Sequence, residues 1–247
     1  MTHRLRTQAI VLRRSDLGES DRLVTLLAPR LGLFKAVAPG ARRSKRRFAG
    51  CLELFSRIEV SLVDKGPGKL GRLEEAVLHD AQESIKADPV SIGHAGYAAE
   101  LVMAFLGEGD DTSNNWDLLL RVFERLGKGP LTNAELRRLE LEILASAGLA
   151  PRFGECVSCG TRQTERWYFT GESGGLVCAS CAAGSAQSME ITQECIAFLA
   201  GLQADDIPSA VGATIMNPAR DLLARIIDIH VGRPLKSREF LRQLAGR

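Results

Sequence analysis

The chain has 247 residues, 45% of them hydrophobic and 25% charged, enough to bury one large core or two ordinary ones. No run approaches the ~18 apolar residues of a membrane helix, and the start MTHRLRTQAIVLRRSD lacks an apolar signal core, so a cytoplasmic protein is expected. The net charge of +2 conceals an asymmetry: residues 1–80 carry 16 Lys and Arg against 9 Asp and Glu, and residues 81–247 carry 16 against 21. A first part at +7 suits a polyanionic partner that the second, at −5, does not share. An uneven but ordinary solvated surface is the alternative.

Five β-compatible runs come first: Thr7–Arg13, Ser20–Leu27, Leu31–Ala38, Cys51–Leu62 and Lys69–Leu78. Turn residues separate them, with Pro39-Gly40 after the third and Gly66-Pro67-Gly68 before the last. In the fourth run Leu52, Leu54, Ile58, Val60 and Leu62 share one face if the strand is regular, and Glu53, Arg57 and Glu59 the other. Five short strands with no long helix between them predict a small antiparallel barrel, most economically a five-stranded OB-fold over residues 1–82.

Between the third and fourth runs lies PGARRSKRRFAG, with Arg42, Arg43, Lys45, Arg46 and Arg47 on six successive positions, preceded by Lys35 and followed by Arg57. Crowded cations repel one another, so the cluster points to a polyanion whose counterions are released on binding. A plain solvated loop and a targeting signal are the blander readings. Of the nearby aromatics, Phe55 and Phe34 belong to the barrel interior by periodicity and Phe48 stands in the cluster itself. Binding dominated by phosphates, weakly sequence-selective and strongly salt-dependent, is therefore expected.

From about Asp88 the period becomes helical: Val90–Leu106, Trp116–Leu126 and Ala134–Ala147 precede a cysteine-rich insert at about 153–184, and Thr192–Leu202, Pro218–Val231 and Ser237–Leu244 follow it. The second domain, 83–247, is thus mainly α-helical, with Asp88 before Pro89, Asn217 and Ser237 as expected helix starts and Gly148 as a stop. The insert reads CVSCGTRQTERWYFTGESGGLVCASC, two Cys-x-x-Cys pairs eighteen residues apart. That is zinc-ribbon spacing: Cys156, Cys159, Cys178 and Cys181 would hold one structural ion, with Trp167–Phe169 and Leu176-Val177 as the hairpin strands. Free thiols or a redox pair are the alternatives, though a thioredoxin-type pair wants a βαβ unit that the pattern lacks. Cys51 and Cys195 fall on apolar-periodic segments and read as small buried hydrophobes.

Nothing points to catalysis. Gly171–Gly175 matches Gly-x-Ser-x-Gly around Ser173 but sits in the ribbon turn instead of a strand-to-helix elbow, and a triad with His230 and Asp221 has the wrong chain order. Gly66-Pro67-Gly68-Lys69 is no phosphate loop, because Val63 and Leu70 replace the first glycine and the hydroxyl residue.

Taken with these features, the stretch AIVLRRSDLGESDRLVTLLAPRLGLFKAVAPGARRSKRRFAG, the following CLELFSRIEV and the C-terminal HVGRPLKSREFL resemble the bacterial RecO family of recombination mediators, over essentially the whole chain. The resemblance implies an N-terminal OB-fold, a helical C-terminal domain and a zinc ribbon that only some members keep complete. It also implies binding of single- and double-stranded DNA, strand annealing, and work with RecR to load RecA onto DNA coated by single-strand-binding protein. Lys35, Arg42, Arg43, Lys45, Arg46 and Arg47 carry over as DNA contacts, and Arg57 joins them on charge. A zinc-ribbon scaffold acting mainly through protein contacts is the rival reading.

Overall fold

Five strands, β1 (His3–Leu17), β2 (Asp21–Ala28), β3 (Gly32–Ala38), β4 (Arg57–Asp64) and β5 (Gly71–Asp80), form a closed barrel in the order β1-β2-β3-β5-β4 in the computed structural model. The structure describes residues 3–44, 46–64, 69–107, 113–171, 174–185 and 188–245. Lys45, the Gly66-Pro67-Gly68 turn, Glu172 and Ser173 lie outside them.

The barrel closes because β1 serves two partners. Residues His3–Ile10 pair with β4, Ile10–Leu17 pair with β2, and an irregularity between Val11 and Arg13 lets the strand bend from one to the other. β3 and β5 meet in parallel, Ala36 opposite Gly71 and Val37 opposite Arg72, and the other pairings are antiparallel. That order is the OB-fold expected from the strand count. Alternate residues fill the interior, among them Ala9, Val11, Val24, Leu26, Ile58, Val60, Leu62 and Leu73. Ile10 and Leu27, paired on the outer side, are also wholly buried, since β1 and β2 run against the helices described below.

One strand is shorter than the sequence suggests. Cys51–Phe55 does not extend β4 but folds as turns, with Cys51 N–H donating to Phe48 O at 3.2 Å and Ser56 N–H to Glu53 O at 3.2 Å. Phe55 stands at φ 69, in the left-handed region, and its N–H donates to Val11 O at 2.8 Å. Burial explains the departure. Cys51 and Leu52, neighbours in sequence, both lie in the barrel core, which a regular alternating strand could not achieve, so hydrophobic burial overrides the strand propensity of the run.

The helices are α1 (Glu83–Lys86), α2 (Pro89–Phe105), α3 (Ser113–Leu126), α4 (Asn133–Ser146), α5 (Ala179–Ala182), α6 (Gln193–Gln203), α7 (Ala213–Val231) and α8 (Lys236–Ala245). Three short strands, β6 (Trp167–Phe169), β7 (Leu176–Cys178) and β8 (Met189–Ile191), make a second sheet in the order β7-β6-β8. The chain divides into two compact units, Met1–Pro130 with Lys236–Arg247, and Leu131–Leu235.

In the first unit α2 is buried nearly all round, against α1, α3, α8 and β1. Asp88 starts it as expected, its carboxylate accepting from Ser91 N–H at 2.7 Å ahead of Pro89. Phe123 of α3 meets Phe55 of the barrel edge to face, with ring centroids 5.7 Å apart. α8 differs from expectation at its start: Ser237 is not its N-cap. Instead Glu100 of α2 reaches over, one carboxylate oxygen accepting from Lys236 N–H at 3.2 Å and the other from Ser237 N–H and hydroxyl at 2.8 and 2.7 Å. A borrowed carboxylate thus satisfies donors that a helix start leaves bare, with favourable dipole alignment.

In the second unit α4 begins with a reciprocal capping box between Thr132 and Glu135 and ends at Gly148, φ 72, with Leu149 N–H donating to Leu144 O and Gly148 N–H to Ala145 O. α7 starts at Ala213, five residues before the Pro218 at which the sequence places its first turn, and Asn217 lies inside it. Inside the helix Pro218 forfeits the N–H that would reach Thr214 O, and the longer helix compensates by burying Met216 on the same face as Ala219, Leu222, Leu223, Ile226 and Ile227.

Candidate nucleic-acid interface and metal centre

The basic segment is a pinned loop. Ala41 and Phe48 drop into the barrel core, Phe48 with only 3% of its surface exposed. Asp21 Oδ1, at the start of β2, accepts from Gly40 N–H at 2.9 Å and from the Ser20 hydroxyl at 2.7 Å. Gly40 sits at φ 68, where a side chain would be strained. Arg42 N–H donates to Ser20 O, tying the loop again to the β1–β2 turn. At the far end Ser44 Oγ accepts from the N–H groups of Arg47 and Phe48, and Ala76 N–H of β5 donates to Arg47 O at 2.9 Å.

The four described cations of this loop are not equivalent. Arg42 is drawn down: its guanidinium donates to Gly18 O at 3.1 Å and faces Asp16 at 3.4 Å, in a chain of ion pairs that continues through Arg22 and Glu53 to Arg14. Arg47 folds back to donate to Pro39 O at 3.0 Å, with its guanidinium 5.3 Å from the Phe48 ring centroid. Arg43 and Arg46 are exposed, and their side chains have no partner among the described residues. Lys35 is exposed on β3 opposite Thr25, and Arg72 is exposed on the adjoining β5. Arg57 opens β4 opposite Ile10 and Asp80, half-buried, with a buried Nε that lacks a hydrogen-bond partner.

The second cluster lies in the ribbon. Cys156 and Cys159 sit on a knuckle in which Gly160 N–H donates to Cys156 O at 2.8 Å and Gly160 takes φ 76. Cys178 ends β7 opposite Trp167 and leads directly into α5, which carries Cys181. All four sulfurs lie within 4.8 Å of one another, and Cys159 Sγ is 3.8 Å from Cys178 Sγ. A disulfide needs about 2 Å, whereas sulfurs at ~2.3 Å from a common tetrahedral centre stand about 3.8 Å apart. The donor set therefore fits a four-coordinate metal ion with no protein ligand missing. The thiols also interact as such a set would: against the cost of burial, N–H groups of Cys178, Cys159 and Ser158 hold Cys156 down to about 6, while hydrogen bonding with Cys178 and Cys159 pushes Cys181 up to about 12. Against the Thr161 N–H, which lowers it, hydrogen bonding with Cys156 likewise raises Cys159, and a cation among the sulfurs would remove that penalty. Cys51 and Cys195 are buried away from this cluster, and burial pushes Cys195 up to about 11.

Comparison with known proteins covers both parts of the chain. The family described as Recombination protein O N terminal matches residues 1–82, and Recombination protein O C terminal matches residues 86–239. The DNA repair protein RecO of an Anaeromyxobacter species (strain K) is 34% identical over 246 residues, covering 98% of this chain and 97% of that one. Those of Myxococcus xanthus and Geobacter metallireducens are each 37% identical, covering 96% and 97% of both chains respectively.

The chain belongs to the RecO family.

Within this RecO-family chain the structure brings Arg42, Arg43, Arg46 and Arg47 together on one loop, with Lys35 on the strand that leads into it. What the sequence reading missed are the groups that hold the loop: Asp21, Ser44, Phe48 and the ion pairs that Arg22 makes with Asp16 and Glu53. Ser20-Asp21 at the mouth of a strand was a legible signal, since such side chains commonly accept from turn N–H groups. Glu53 was not legible, because its partners are distant in sequence. No helix of the described residues is long and apolar enough to cross a membrane.

Proposed function

We propose that the protein is a non-catalytic mediator of DNA repair and recombination that binds single- and double-stranded DNA through the basic loop of its barrel. It anneals complementary strands and, with RecR, helps load RecA onto single strands coated by single-strand-binding protein, at the nucleoid in the cytoplasm. The supporting observation is that Arg43 and Arg46 stand exposed, with no side-chain partner among the described residues, on a loop whose backbone is fixed at both ends. A fixed loop loses little conformational entropy on binding, and its cations gain by releasing counterions from phosphates. Lys35, Arg42, Lys45, Arg47 and Arg57 complete the proposed contact set, with Arg43 and Arg46 foremost.

The aromatics fit a phosphate-led mode. Phe48 and Phe55 are buried and Phe34 is half-buried against the core, so none offers a stacking platform for bases. Neutralising phosphates on two strands lowers their repulsion while leaving base edges free to pair, which is how the loop would promote annealing. The test is fluorescence anisotropy with a labelled oligothymidine across a salt series, beside annealing of two complementary strands. Binding and annealing should both weaken steeply with salt, and Arg43→Ala with Arg46→Ala should reduce both. Unchanged annealing and an unchanged salt slope in that variant would remove the loop from the mechanism.

We assign the ribbon ion as zinc, because four thiolates at tetrahedral spacing match its preference. Bound there, zinc supplies a closed structural cross-link with no open position for water. Cys156, Cys159, Cys178 and Cys181 would hold it, and purified protein should contain close to one zinc per chain by elemental analysis.

A further inference from the structure

The cation cluster contains an acid in its foundations. Asp21 is half-buried at the head of β2, and its Oδ1 takes two hydrogen bonds, from Gly40 N–H and the Ser20 hydroxyl. The Ser20 hydroxyl, the Gly40 N–H and the nearby Arg72 guanidinium keep its carboxyl below the ordinary range, so it is charged wherever the protein is folded near neutrality. Coulomb's law alone says that a negative charge at the base of the loop that carries Arg42, Arg43 and Arg46 opposes a polyanion. Glu19, two residues earlier in the same turn, is exposed, with no side-chain partner among the described residues. The two carboxylates carry the same charge close to the same loop and differ in whether they hold it.

We infer that Asp21 is a positioning residue for nucleic-acid binding, whose carboxylate fixes Gly40 and thereby the entry angle of the loop that presents Arg43 and Arg46 to phosphates. The inference rests on the proposed binding role of the loop. Gly40 is the joint: its positive φ turns the chain off β3, and the next two residues are Ala41, anchored in the core, and Arg42, whose N–H donates to Ser20 O. Without the acceptor at Asp21 the Gly40 N–H faces water, the joint relaxes, and the guanidiniums of Arg43 and Arg46 sample orientations that no longer reach neighbouring phosphates together. The consequence is counterintuitive in sign, because deleting an acid beside a DNA site should weaken the site.

The experiment measures binding of fluorescein-labelled oligothymidine by the full chain across a salt series, for the wild type, Glu19→Gln, Asp21→Ala, Asp21→Asn, Arg43→Ala with Arg46→Ala, and that pair with Asp21→Ala added. Glu19→Gln should bind unchanged or up to ~2-fold tighter, as removal of a screened surface charge dictates. Asp21→Ala should bind ~5-fold weaker or more, with a shallower salt slope, since fewer phosphates are engaged at once. Asp21→Asn retains an oxygen acceptor for Gly40 N–H and should fall between the wild type and Asp21→Ala. Adding Asp21→Ala to the arginine pair should cost much less than it costs the wild type, because the foremost groups it positions are gone. General damage to the barrel would instead add its full loss in that background and leave the salt slope of Asp21→Ala steep, and either result overturns the inference. So does Asp21→Ala binding as tightly as Glu19→Gln. If the arginine pair binds like the wild type, the loop reading itself fails, an outcome distinct from the others.

Discussion

The basic loop and the cysteine ribbon are both irregular segments held in fixed shape, and they are held by opposite means. The loop borrows the barrel: two of its side chains lie in the barrel interior, and its N–H groups find acceptors on Asp21 and Ser44. The ribbon has little to borrow, a sheet of three-residue strands around Trp167, Phe169, Leu176, Val177 and Ile191. So small a core does not stabilise itself, and four thiolates around an ion take its place. The difference teaches where sensitivity will lie: the loop should fail residue by residue, the ribbon all at once with its metal.

The largest effect should come from the ribbon. Structural zinc sites contribute roughly 10 kcal/mol or more of apparent binding free energy in small domains, so chelation or Cys178→Ser should unfold residues around 153–191. Limited proteolysis should show cleavage there with the barrel intact. A ribbon that stays protease-resistant with no metal would erase the contrast. Next comes Phe48→Ala, which removes a buried ring from the barrel interior and should cost about 3–5 kcal/mol by denaturant unfolding. It should also weaken oligothymidine binding, while metal content stays unchanged.

A smaller loss is expected at Gly93 on α2. A Cβ there would lie 2.6 Å from Leu241 Cδ2 and 3.3 Å from the Phe240 ring, so Gly93→Leu should lift α8 at a cost of about 2 kcal/mol. Loss of amide protection confined to α8, read by hydrogen exchange, would check it. The smallest effect concerns pH. Asp21 has a depressed folded-state pKa, so its contribution is present above the unfolded carboxylate value of ~3.9 and is lost as pH falls through the lower folded value. Gly40 amide protection, corrected for intrinsic exchange, should hold from pH 7 to 5 and fall only in stronger acid.

Much of this molecule was legible in the chain. The strand count and turn residues predict the barrel, and the two Cys-x-x-Cys pairs predict the sulfur cluster, because both signals are local or repeat at fixed spacing. Three features were not legible, for separate reasons. Cys51–Phe55 has strand-like residues but folds as turns because the adjacent Cys51 and Leu52 both face the core. Helix α8 takes its cap from Glu100, over a hundred positions away, which no local rule can see. Pro218 reads as a first turn and sits further in, tolerated because the added turn buries Met216. The arginines were visible as a charge run, but their division into Arg42 and Arg47, which brace the loop, and Arg43 and Arg46, which project from it, depends on partners that only folding brings near.

The grip of Glu100 on Lys236 and Ser237 also sets an order of events during synthesis. The first unit consists of residues up to Pro130 together with α8, so the whole of Leu131–Leu235 must be translated before the last piece of the first unit exists. On a ribosome the barrel can close early, but the seat on α2 at Gly93 and Glu100 waits, uncovered, until the chain beyond Leu235 emerges. The second unit is thereby an insertion whose two ends are both fastened to the first, and a single break in the connection at 236 would leave α8 held to the first unit by packing and the Glu100 hydrogen bonds alone.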